Sequence, residues 1–167
     1  MKDFNQRSPN TLRRLDAGAK FLYTAFLVFS LFGLFSAGLL HLDGMGTSGS
    51  QAEVYWLGDE SGMAYPKSFR QLVELTHFHL FTEPVALLVV AHLYHLGGDM
   101  RVRKRVAIIG TTLAMAVQIA LPWAIVYASP TISPAAWPAT IVLLGGFLYM
   151  TGFAMWDMWG AESNAAA

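Results

Sequence analysis

Three stretches of this chain, Phe21 to Leu40, Val106 to Ser129 and Thr131 to Trp156, carry no charged residue. Each reaches the roughly 20 residues that an α-helix needs to cross the hydrocarbon core of a bilayer. A fourth, Leu72 to Leu96, is apolar apart from Glu74, Glu83 and four histidines. Backbone amides in hydrocarbon must find partners within the segment, so such runs fold as helices. Charged residues make up 13% of the chain, against roughly 25% in soluble domains. The expected fold is all-α: an integral membrane up-down-up-down bundle of four helices. The spans fall near 19–41, 70–97, 105–128 and 137–158, with an outer loop over 42–68, in one domain covering 1–167.

Basic residues set the orientation. Lys2, Arg7, Arg13, Arg14 and Lys20 precede the first span, and Arg101, Arg103, Lys104 and Arg105 separate the second from the third. Lys67 and Arg70 alone fall on the other side, so the positive-inside rule puts both termini in the cytoplasm. About twenty residues precede the first apolar run, which exceeds the usual 7–15-residue core of a signal peptide, so a retained span is expected. The absence of cysteine excludes disulfides, thiolate-held clusters and thiolate-ligated haem. A net charge of zero gives no sign of nucleic-acid binding.

Within the outer loop, glycines and serines give way to an amphipathic Val54-Tyr55-Trp56-Leu57 beside the acidic Glu53, Asp59 and Glu60. Tyr55, Trp56 and Tyr65 are expected at the lipid headgroups, where aromatic side chains collect. The loop reads as an interfacial plug, or as a cap over a site beneath it. A helix start is expected at Ser8-Pro9-Asn10, and bends at Pro84 and Pro122. Gly33, Gly38, Gly145, Gly146 and Gly152 are expected to allow close helix contact.

Four of the five histidines, His77, His79, His92 and His95, share the second span. Ionisable groups at that depth are costly and mark a metal, a proton route or a ligand. At about 100° per residue, His77 and His95 share one azimuth, with Glu74 and His92 about 60° away. Asp99 continues this stripe. Its histidines form two levels, roughly 22–27 Å apart at about 1.5 Å per residue. His79 and Glu83 point to nearly the opposite side.

Two histidine levels on one membrane helix resemble the arrangement in four-helix transmembrane b-type cytochromes. That resemblance implies haem b, one or two per chain, held by axial histidines, and an electron-transfer subunit of an oxidoreductase complex that links quinone to a redox partner outside the membrane. The third and fourth spans contain no histidine, which departs from the pattern. His41, at the outer end of the first span, is expected to meet His77 or His79. The inner level then needs five-coordinate ligation, Met150 or Met155, or a histidine of a second copy in a homodimer. Met115, Met150, Met155 and Met158 otherwise read as packing residues. Gln118, the single amide in the uncharged spans, is a candidate for orienting a haem propionate, a quinone or another helix.

Two further classes compete. Glu74-Leu75-Thr76-His77 has the Glu-x-x-His spacing of di-iron carboxylate bundles, and His77, His79 and Glu83 offer nitrogen and oxygen donors for a non-haem metal. Glu83, near mid-span, with Glu74 and the histidines, offers a proton path. A structural subunit of a larger membrane complex is the remaining reading. Compact size suggests a bacterial inner membrane.

Overall fold

The computed structural model describes residues 12–59, 62–98 and 101–160. The expected helix start at Ser8-Pro9-Asn10 and the residues Lys2, Arg7, Glu60 and Asp99 lie outside them. Asp16 caps the first long helix, α1 (Ala17–Met45), by accepting the Ala19 N–H at 3.0 Å. A short α2 (Gly49–Leu57) follows, and Ser68 then opens α3 (Phe69–Leu96). Both begin with a reciprocal capping box, Ser48 with Gln51 and Ser68 with Gln71, which satisfies amide donors that the first turn leaves open. The remaining helices are α4 (Arg101–Tyr127) and α5 (Ala136–Trp159), joined by a 3-10 turn over Pro130–Ala135. The described residues contain no strand, and four of the helical segments are long and apolar enough to cross a membrane. The helices α3 and α4 run unbroken through Pro84 and Pro122.

The chain alternates direction. Arg13, just before α1, donates to the backbone oxygen of Asp157 near the end of α5 at 3.2 Å. Lys104, in the first turn of α4, donates to the carbonyls of His95 and Gly97 at the end of α3. One end of the bundle therefore gathers Arg13, Lys20, Lys104 and the end of α5. The other end holds α2 and the 3-10 turn.

Within the bundle α5 is the hub, packing on α4 above all and on α3 and α1 as well. Lipid tails are as apolar as leucine, so membrane helices gain little from hydrophobic burial against each other and rely on close packing and polar contacts. The helices α4 and α5 meet tightly at Gly146, where any Cβ would collide with the side chain of Thr111 on α4. Thr111 is buried and donates its hydroxyl to the Ala107 carbonyl at 2.7 Å, so it cannot easily swing aside. Gly33, Gly145 and Gly152, expected in the same role, have open space where a Cβ would stand. Composition marks a permissive position, but only the packing shows which one is used.

Single polar bonds tie neighbouring helices. Trp123 Nε1 of α4 donates to Thr76 of α3 at 2.7 Å, and Trp159 Nε1 of α5 donates to Thr24 of α1 at 2.9 Å. Met150 and Met158 are enclosed with Leu27, Val90 and Tyr94 in the core toward the basic end. Toward the other end, Trp56 packs with Leu72, Leu121 and Ile125. The sequence expectation put Trp56 among headgroups, yet it is only 4% exposed. Packing on Leu72, Leu121 and Ile125 turns its indole inward, while Tyr65 remains 86% exposed.

Replacing Gly146 by Val should push α4 from α5 and lower stability by about 1–3 kcal/mol, the usual cost of overpacking. Gly145→Ala should change it by no more than about 0.5 kcal/mol. Unfolding in mixed micelles reads both, and equal losses would contradict the close approach.

Candidate functional site

The side chains of α3 divide between two faces. Leu72, Leu87, Val90 and Tyr94 are buried, with Thr76, His79 and Glu83 half-buried along the same stripe. On the opposite side His77, His92 and His95 are all exposed. Leu88, between the two histidine levels, is 69% exposed, and Phe81 and Val85 flank it in the open. The ring of His77 lies 4.9 Å from that of Phe81. Among the described residues, α3 spends its inward face on α4 and α5. Glu74, one turn before His77, is exposed and accepts from Arg70 Nε at 2.7 Å.

The inward pair is different. His79 Nδ1 and Glu83 Oε1 are 2.6 Å apart, a short hydrogen bond across one helical turn near the middle of the span. The second carboxyl oxygen of Glu83 is buried and has no hydrogen-bond partner. Carboxyl groups at that depth are costly and are held by the bonds they make.

His41 stands apart from α3. It is buried near the end of α1 against α5, with its ring 5.0 Å from Trp137 and its Nδ1 3.5 Å from Thr140 Oγ1. Thr140 also reaches Gln118 Oε1 on α4 at 3.1 Å, so three helices share one polar cluster. The expected meeting of His41 with His77 or His79 is replaced by this cluster. The physical reason is the packing order, in which α1 lies on α5 and α2 while α3 lies on α4 and α5. Among the described residues no three His, Asp or Glu side chains come together as a metal-binding group. Met150, offered as an inner-level ligand, is fully enclosed in the core, whereas His92 and His95 face outward.

Sequence reasoning missed Trp137, Thr140 and Asp157. Asp157 is 4% exposed, with one oxygen 4.0 Å from Arg13 Nε and the other buried without a partner. Its signal was present as a lone acid inside an aromatic helix end, paired across the chain with a basic residue. Thr140 and Trp137 follow no motif, since their role comes from facing His41.

Helices of this length and apolarity define a polytopic integral membrane protein whose outer surface meets lipid. The chain belongs to the Aq_1264_TM family, a transmembrane helical domain whose model matches residues 46–165. The match takes in α2 to α5, with the α3 histidines, Gln118, Trp137 and Thr140, and leaves out α1 with His41. No curated protein and no solved structure matches the chain.

Glu83→Gln keeps an acceptor for His79 and should cost at most about 1 kcal/mol, whereas Glu83→Leu strands His79 and should cost about 1–2 kcal/mol. Unfolding in mixed micelles separates the two. Equal small losses would mean that the pair contributes nothing.

Proposed function

We propose that the chain is a membrane-embedded b-type haem electron-transfer subunit that links quinone to a redox partner outside the membrane. The observation that carries this reading is the outward face of α3, where His77 and His92 stand exposed among apolar side chains. Imidazoles turned toward lipid tails are costly unless another group engages them. Imidazole nitrogens, in a chain without cysteine, suit haem iron as axial ligands.

One chain supplies one imidazole at the outer level, His77, and His92 with His95 at the inner level. A second copy related by a twofold axis along the membrane normal supplies the facing set, so the site is complete only between copies. Bound haem supplies one-electron storage at each level. The chain's own part is to hold the imidazoles on a rigid helix and to exclude water with Phe81, Val85 and Leu88. The levels are roughly 22 Å apart along the helix, which spans much of the bilayer. Orientation follows the basic residues, with both termini cytoplasmic, in a bacterial inner membrane.

A second reading, proton carriage, is favoured by the short His79–Glu83 bond and the orphan oxygen of Glu83. It uses the opposite face of α3 and is compatible with the first.

The chain has no cysteine, so Leu88→Cys introduces the single thiol needed to test the paired α3 helices. A long-armed bis-maleimide applied in native membranes should yield a cross-linked dimer, whereas mild oxidation should not, since imidazoles facing each other across haem iron hold the paired helices beyond the about 7 Å between Cα atoms that a direct disulfide needs. Haem retained per chain should fall in His77→Leu and His92→Leu but not in His79→Leu. A monomer after cross-linking, with haem unaffected by all three variants, would reject the paired site and favour a purely structural subunit.

A further inference from the structure

At the end of the bundle away from the basic residues, α2 and the 3-10 turn roof a cavity of about 250 Å³. His41, Met45, Ser48, Ser133 and Trp137 contribute to its lining, and no lysine, arginine or carboxylate does. Below it, an apolar groove of about 540 Å³ runs along the seam of α1 and α5, from Val28 to Leu42 and past Leu144 and Leu148. The two hollows come to the same level of α1, where Gly38 and Leu42 line the groove and His41 and Met45 the cavity. On α5, Trp137, Thr140, Leu144 and Leu148 follow at helical spacing on one face, so the polar and apolar parts succeed each other along a single line.

Two features of the cavity call for a ligand. The side chain of Trp137 borders the cavity, and its buried Nε1–H has no acceptor among the described residues. Native proteins rarely leave such a donor idle, and an unmet one points to a bound partner. His41, 7% exposed, turns toward the same space and is held from behind by Thr140. Together they offer an indole donor and an imidazole that donates or accepts through its ring nitrogens.

We infer that this cavity and groove bind a lipid quinone, with the ring head between Trp137 and His41 and the isoprenoid tail along Gly38, Leu144 and Leu148. The inference rests on the proposed quinone link and gives it a location. The chemistry favours a neutral head with two oxygens. Trp137 donates to a carbonyl oxygen, and the imidazole suits an oxygen that is a carbonyl when oxidised and a hydroxyl when reduced. A phosphate head would find no cation in the lining. The volume is below the about 300–1,000 Å³ of sites for drug-sized ligands, as suits a single ring whose tail leaves the cavity. The lid is seated by Gly49 of α2, where a Cβ would stand 2.7 Å from Pro134 Cγ of the turn.

The test is equilibrium binding of a decyl-tailed ubiquinone analogue, and of the same head without a tail, to the full-length protein in detergent. Trp137→Phe, which keeps the ring but loses the donor, should weaken both by about tenfold, the scale of one lost hydrogen bond. Gly38→Leu, which fills the groove, should weaken the tailed analogue by about tenfold and the tail-less one by less than about threefold. If Trp137→Phe fails to fold, the Gly38→Leu comparison still decides. Wild-type affinity in both variants would overturn the inference. So would displacement of the quinone by phosphatidylglycerol with the same dependence on Trp137, which would assign the site to a lipid headgroup. Bound quinone is counted independently of haem, so quinone binding by a haem-free protein would sustain the site and sink the electron-transfer reading.

Discussion

The contact between α4 and α5 at Gly146 and Thr111 is the constraint on which the rest of the bundle depends. In lipid the helices have little hydrophobic reason to associate, so the pair that packs most extensively sets the frame. With α4 fixed to one side of α5, α3 packs into the angle between them and α1 is left to the remaining side. That order decides which residues meet. It sends His41 to Trp137 and Thr140, and it turns the inward stripe of α3 toward α4 and α5. The face bearing His77 and His92 is consequently turned away from the helices on which α3 packs.

The two ends of the bundle are built differently. At the basic end, Arg13 bonds the backbone oxygen of Asp157 and Lys104 caps the carbonyls that end α3, so basic side chains tie helix ends together. At the other end, α2 and the 3-10 turn form a roof of small and aromatic residues over His41. The short helix is thus an interior-facing element, anchored by Trp56, and it covers the polar cluster shared by α1, α4 and α5.

The helices were legible because bilayer thickness imposes a length, and uncharged runs of that length have few alternatives. The division of α3 into two faces was legible for an equally simple reason, since a fixed angle per residue separates His77, His92 and His95 from His79 and Glu83. Which face turns inward was not, because both stripes are polar and the decision belongs to the packing of other helices. The same limit hid the inward turn of Trp56, the partner of His41 and the choice of Gly146 among several glycines. Asp157 escaped notice because its burial depends on a residue far away in the chain.

The central claim is that the outward histidines of α3 ligate haem. An absorption spectrum of the protein purified with its native partners, oxidised and then dithionite-reduced, tests it most directly when haem is counted against chain. The account predicts a Soret band and b-type reduced α absorption, with up to one haem per facing pair of imidazoles. A colourless protein, purified with those partners under conditions that retain haem, would contradict it.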